Sequence, residues 1–158
     1  MCLYKDHRVA VVVPAYNEEK LIRPTLETIP DIVDVVYAVD DGSVDFTVQV
    51  MKEIAETDPR IVIIEHKENQ GVGGAIITGY KQCIMDNVDL AVVMAGDHQM
   101  DPKYIPDLLD PLVDGRADYT KGNRLIGSEY REGMSRWRFL GNSILTFLTK
   151  LSSGYWKL

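Results

Sequence analysis

The chain reads as an α/β protein, a mostly parallel sheet with helices on both faces, and three observations point there. Two short Val-rich runs, Arg8–Val13 and Asp34–Val39, are apolar after their first residue instead of alternating, as strands buried on both faces are. Stretches with apolar residues at helical spacing separate successive runs, so strands and helices alternate along the chain. Each run also breaks into polar residues, Pro14–Glu18 after the first and Asp40–Ser43 after the second. Such ends deliver side chains to one sheet edge, where open α/β folds bind ligands.

The elements follow in order. After the first strand, Leu21, Ile22, Thr25, Leu26 and Ile29 recur at helical spacing until Pro30 ends the run. Val44, Val48, Met51 and Ala55 form a similar stripe after the second strand, closed by Asp58 and Pro59. Arg60–Glu65 is a third strand, and Gly71–Gly74 opens a helix whose inner face is Ala75, Ile76, Gly79, Tyr80 and Cys83. Asp89–Met94 is a fourth strand with the polar end Ala95–Pro102. The next helix carries Ile105, Leu108, Leu109, Leu112 and Val113, and Pro111 inside it predicts a kink or a break. Ala117–Lys121 reads as a short fifth strand leading to Gly122–Arg124. Residues 125–136 lack apolar periodicity and read as a mobile surface loop. Trp137, Leu140, Ile144, Phe147, Leu148 and Leu151 then resume a helical stripe, better suited to docking on a sheet than to lying on a membrane. Without repeats or linkers, residues 1–158 make one domain, and the ending, with neither polar tail nor cap, reads as a domain cut at its C-terminus.

Composition narrows the function. With 24 acidic and 17 basic residues the formal charge is −7, which excludes a general nucleic-acid role for want of basic excess. It also means that a bound diphosphate would want a cation or local arginines beside it. Cys2 and Cys83 have no metal-ligand or redox spacing and read as free thiols of a reducing compartment. There is no signal-peptide pattern and no apolar stretch of the roughly 20 residues that span a bilayer, so the expected location is cytoplasmic.

The polar strand ends carry the chemistry. Pro14 has no N–H to donate and is expected to end ladder pairing, leaving a rim where the Tyr16 ring and the Glu18 carboxylate can meet a nucleoside. The same residues fit a plainer use, with Asn17 capping the next helix and Glu18 and Glu19 complementing its dipole. Asp40 and Asp41 repel each other unless each has a partner, and neighbours on a strand point to opposite sides. One is expected to accept helix N–H groups while the other faces the cleft, with Gly42 allowing the turn and Ser43 capping. Gly71–Gly74 is not a dinucleotide fingerprint, because the sixth position is Ile76 and the segment follows the third strand, not the first. In an extended segment Asp97, Gln99 and Asp101 share a side and could converge on Mg²⁺ or Mn²⁺, with His98 pointing away. Arg124 sits at the same rim, as a bidentate phosphate donor or as an ordinary surface arginine. Arg136 and Arg138 stand at a helix N-terminus, where cations oppose the dipole, so an anion should offset them: an acceptor phosphate, or the acidic surface of the protein itself.

Taken together, Pro14–Glu18, Asp40–Ser43, Asn69–Gly73 and Asp97 resemble the nucleotide-sugar domain of the family-2 glycosyltransferases, with a GT-A, Rossmann-like fold. In pattern the chain is most similar to the dolichyl- and polyprenyl-phosphate sugar transferases. The resemblance implies inverting transfer of a sugar from a UDP- or GDP-type donor, with Mg²⁺ or Mn²⁺ as cofactor. It implies nucleotide-sugar contacts from Pro14, Ala15, Tyr16, Glu18, Val39, Asp41, Ala95, Gly96, Asp97 and Arg124, with Asp41 on the base. It makes Asp97 and Arg124 the catalytic pair, Asp97 with Gln99 the metal ligands, and Arg136 with Arg138 the contacts to an acceptor phosphate. The first acid of the family's Asp-x-Asp motif falls on Ala95, while the following Gln99 matches the lipid-phosphate branch. A lipid phosphate is already anionic and needs no general base, and no acid follows Glu132 here. Such an acceptor would bring the chain to the cytosolic membrane face as a peripheral protein. Two other readings remain: a nucleotidyltransferase, which would carry a Gly-rich basic loop after its first strand, and an inactive nucleotide-sugar-binding module, suggested by Ala95.

Overall fold

The computed structural model describes residues 4–122 and 136–153. The chain divides into two units, Met1–Thr120 and Lys121–Leu158, each taken here by itself. The first holds β1 (Val9–Ala15), α1 (Ile22–Glu27), β2 (Val35–Asp40), α2 (Thr47–Ala55), β3 (Ile61–Glu65), α3 (Gly71–Met85), β4 (Leu90–Val93), a 3₁₀ turn (Pro102–Tyr104) and α4 (Ile105–Val113). The second holds α5 (Arg136–Ser153).

All four strands are parallel, in the order β3-β2-β1-β4. Alternation along β1 sorts the core into two layers. Val9, Val11, Val13 and Ala15 pack with Ile22 and Leu26 of α1, Met51 and Ile54 of α2, and Ile105 and Leu109 of α4. Ala10 and Val12 face the other way, with Tyr37 and Val39 of β2 and with Ala75 and Cys83 of α3. The chain thus moves outward through β1, β2 and β3 with its helices on one face, then returns across the other face to place β4 beside β1. Right-handed crossovers require that change of face when the direction reverses. The crevice between the ends of β1 and β4 is therefore the topological switch point.

α3 lies close to the sheet because Gly79 has no side chain. A Cβ there would stand 2.3 Å from Cγ1 and 2.9 Å from Cγ2 of the buried Val12. Cys83, on the same helix face, is buried, and burial pushes its thiol up to about 11, an inert core residue. Cys2 lies outside the described residues.

Several expectations are corrected. Residues 117–121 form no strand: the Ala117 N–H goes to the Pro111 carbonyl at 3.0 Å and the Thr120 hydroxyl to the Leu108 carbonyl at 2.8 Å, so the segment is spent closing α4. Pro111 does not break α4, which continues to Val113. Val44 lies outside α2 and is 87% exposed; the buried residues of that helix are Thr47, Met51 and Ile54. Tyr80 of α3 is likewise exposed. The helix expected from Trp137 onward is present as α5, with Trp137, Ile144, Leu145, Phe147, Leu148 and Leu151 all exposed. Among the described residues no helix is long and apolar enough to cross a membrane.

Candidate functional site at the C-terminal edge of the sheet

The loops after β1 and β2 are bound to each other as well as to the starts of their own helices. Asn17 takes a left-handed conformation (φ 57°). Its N–H donates to the Ser43 hydroxyl at 2.9 Å, and its side-chain oxygen accepts the Val44 N–H at 3.0 Å. The Glu18 N–H donates to the Thr47 hydroxyl at 2.8 Å and the Glu19 N–H to Asp45 at 3.2 Å, while Glu19 accepts the Phe46 N–H at 3.3 Å. Asp45 itself accepts from both the Thr47 N–H (3.0 Å) and the Thr47 hydroxyl (2.5 Å). The expected capping by Asn17 and Ser43 is thus replaced by a reciprocal lattice across the two loops. Asp45 and Thr47 were missed, although an Asp-x-Thr pair directly before an apolar-periodic run is itself a helix-start signal.

Pro14 does not end β1, which runs on to Ala15 with Pro14 paired to Val39. The Pro14 carbonyl accepts the Gly96 N–H at 3.1 Å, so its missing donor faces the side where β4 has already stopped. Pro14, Ala15, Val39 and Gly96 are buried and form the floor of the edge; Ala95 is half-buried and Tyr16 is 48% exposed above it.

The two adjacent acids are both 2% exposed and each accepts backbone N–H groups. Asp40 accepts the Gly42 and Ser43 N–H groups through Oδ2, at 3.1 and 3.0 Å, with Gly42 supplying the left-handed turn (φ 77°). Its Oδ1 is buried without a partner. Asp41 accepts the Gln70 N–H at 2.9 Å and meets His66 Nδ1 at 2.8 Å, both through Oδ1. Burial alone would raise its carboxyl, but the Gln70 N–H, the imidazole and the Gly71 N–H hold it below the usual carboxylate range. His66 gave no sequence signal, since a single histidine after a strand is ordinary.

After β4 the chain turns. His98 is left-handed (φ 54°), so residues 97–101 are not extended and the alternation that would align Asp97, Gln99 and Asp101 is lost. Asp97 accepts the Gln99 N–H at 3.1 Å, and Asp101 is held by Lys103 through its N–H (3.0 Å) and ammonium (2.6 Å). Asp101 therefore leaves the expected ligand set. Among the described residues no three His, Cys, Asp or Glu side chains form a metal cluster. Glu18, after β1, feels the charges of Asp97 and Asp45. Partial burial raises the Glu18 carboxyl above its ordinary value, and the negative charges of Asp97 and Asp45 add to it. A divalent cation would relieve that repulsion, and the oxygen donors of Asp97 and Gln99 suit Mg²⁺ or Mn²⁺, with phosphate oxygens completing the shell. Arg124 lies outside the described residues, as do the side chains of Arg136 and Arg138.

The sequence profile of glycosyl transferase family 2 matches residues 10–156, almost the whole chain. The chain belongs to that family. A UDP-N-acetylglucosamine–dolichyl-phosphate N-acetylglucosaminyltransferase of Methanococcus voltae is 32% identical over 96% of the chain and 65% of its own length. The dolichol-phosphate mannosyltransferase of Pyrococcus furiosus is 28% identical over 84% of the chain and 36% of its own length. Among solved structures, the mannosyltransferase PcManGT of Pyrobaculum calidifontis, in complex with GDP-Man and Mn²⁺, superposes with a TM-score of 0.60 and 28% identity. That match covers 68% of this chain and 33% of the other. The parallel sheet with helices on both faces is thus the GT-A fold of its structural neighbours. The chain spans 65% or less of the length of each of these relatives.

Proposed function

We propose that this family-2 chain is the nucleotide-sugar-binding part of an inverting, metal-assisted glycosyltransferase that uses a polyprenyl-type lipid phosphate as acceptor. The observation that carries the reading is the switch-point edge itself, where the loops after β1 and β2 are bonded to each other and the negative charge of Asp97, after β4, adds to the burial that raises the Glu18 carboxyl. A carboxylate pair that repels itself at a switch point is arranged for a cation and the diphosphate that the cation neutralises.

In this reading Tyr16 and Glu18 hold the nucleoside, Asp41 meets the base, and Pro14, Ala15, Val39, Ala95 and Gly96 shape the floor. Asp97 and Gln99 would hold Mg²⁺ or Mn²⁺, which supplies charge neutralisation on the leaving diphosphate. Arg124 adds a bidentate donor to the same phosphates. An acceptor phosphate oxygen attacks the anomeric carbon from the face opposite the leaving group. As the new carbon–oxygen bond forms, the bond to the diphosphate breaks and the bonding electrons leave with it. Because the acceptor is already an anion, no proton has to be removed. It does need cations nearby, a role given to Arg136 and Arg138 at the start of α5. The names of the relatives, which specify dolichyl phosphate or dolichol phosphate, support this acceptor class. They also support a site of action at a membrane surface.

Calorimetric titration of the chain with UDP and GDP, with Mg²⁺ or with EDTA, tests the reading. Binding should tighten with the metal, and Asp97→Asn should remove that increment while leaving metal-free binding in place. Equal affinity with and without EDTA, or a metal effect that survives Asp97→Asn, would discard the assignment. Transfer from labelled nucleotide sugars to polyprenyl phosphate, compared with sugar hydroxyls, separates the acceptor classes.

A further inference from the structure

His66 follows β3 directly, and its backbone N–H still donates to the Asp40 carbonyl at 2.9 Å, so the ladder fixes where its ring starts. The ring is enclosed: the His66 side chain is 7% exposed and that of Asp41 3%. Nδ1 stands 2.8 Å from Asp41 Oδ1, and Nε2 stands 2.9 Å from the Thr78 hydroxyl on α3. An ionised carboxylate only accepts, so Nδ1 carries the proton; in the neutral ring Nε2 then accepts from Thr78. One line of donors therefore runs from Thr78 on α3, through His66 after β3, to Asp41 after β2. The Gln70 N–H reaches the same oxygen of Asp41 from the residue just before α3. Two donors on one oxygen set the rotation of a carboxylate that would otherwise turn freely about its last bond.

We propose that His66 is a positioning residue for the nucleotide base, acting through Asp41, with Thr78 holding its tautomer. The inference rests on the reading of Asp41 as the base contact. His66 makes no ligand contact itself: it presents Asp41 in one orientation and ties that orientation to the start of α3, so that base recognition and the seating of α3 are a single arrangement.

The two ring nitrogens can be replaced separately. In His66→Asn the side-chain amide nitrogen occupies the place of Nδ1 and keeps the donor to Asp41. In His66→Gln it occupies the place of Nε2, keeping the Thr78 contact and losing the donor to Asp41. Calorimetry with UDP and GDP in Mg²⁺, beside thermal melting, distinguishes them. We expect His66→Asn to bind the preferred nucleotide within about threefold of wild type and His66→Gln to bind about tenfold more weakly, at comparable melting midpoints. Equal affinities for the two variants, or affinities that simply follow the melting midpoints, would overturn the proposal. Should neither His66 variant fold, Thr78→Val against Thr78→Ser decides. The valine should weaken binding by about threefold and the serine should restore it, and equal affinities would again overturn the inference. If the wild-type chain binds neither nucleotide, the underlying reading of the site fails, and the inference with it. If wild type binds and the Asn and Gln variants do not differ, only the role of His66 fails.

Discussion

The loops after β1 and β2 and the loop after β4 end at the same sheet edge but are built differently. The first two are bonded to each other, through Asn17 to Ser43 and Val44, Glu18 to Thr47, and Glu19 to Asp45 and Phe46. The third is anchored at its root, where the Gly96 N–H meets the Pro14 carbonyl and the Gly96 carbonyl accepts the Thr25 hydroxyl at 3.2 Å. Beyond Gly96 it bonds to itself, from Gln99 to Asp97 and from Lys103 to Asp101, and His98 to Asp101 are exposed. One half of the site is thus set by the fold before any ligand arrives. The other half has its position fixed at one end, and its acids are held only within its own turn, Asp97 by the Gln99 N–H and Asp101 by Lys103. Under the proposed function, preorganisation would suit a part that selects a rigid base, and local freedom a part that follows a leaving diphosphate.

Asp45→Ala should break this contrast most strongly. It leaves the Glu19 N–H, the Thr47 N–H and the Thr47 hydroxyl without their acceptor, which should cost about 1–3 kcal/mol of folding stability. Denaturant unfolding measures this, and a loss no greater than that of a surface change would show that the two loops hold together without their lattice.

Acid sharpens the same comparison. Asp41 and Asp45 both titrate below their ordinary value, Asp45 because the Thr47 and Glu19 donors outweigh its burial. A carboxylate depressed in the folded state contributes stability above its unfolded pKa of about 3.9, and that stability is lost as pH falls through the lower folded value. Glu18 is raised instead, so it favours the folded state as it takes up its proton and works against the other two. Stability should therefore fall below about pH 4, and the Asp45→Ala protein should show a shallower fall than wild type. Identical acid profiles would remove Asp45 from the lattice.

The smallest effect belongs to the third loop. Gln99→Ala should change folding stability by less than about 0.5 kcal/mol, since its side chain is exposed and the bond to Asp97 uses its backbone. It should nonetheless weaken the tightening of nucleotide by Mg²⁺. A clear loss of stability would mean that this loop is as preformed as its neighbours.

Much of this architecture was legible in the sequence because burial writes itself into residue type. Uniform Val-rich runs could only be strands covered on both faces, and the polar residues ending them had to lie at one edge, which placed Tyr16, Glu18, Asp41 and Asp97 together. What the residues could not show was the direction of their hydrogen bonds. Asn17 caps no helix, because a left-handed turn aims it at the neighbouring loop, and a partner 27 positions away leaves no local trace. Ala117–Lys121 had the composition of a strand, but its Ala117 N–H and Thr120 hydroxyl are taken by α4. His66 acquires its role only when β2, β3 and α3 converge, since an imidazole's function depends on what faces each nitrogen. The sequence by itself determined which residues had to be buried and which strand ends had to carry the polar chemistry, because hydrophobic periodicity is a local property of the chain. Only the tertiary structure decided what answers Asn17, Glu19 and Asp41, because those bonds join segments that are distant in sequence and brought side by side by the parallel sheet.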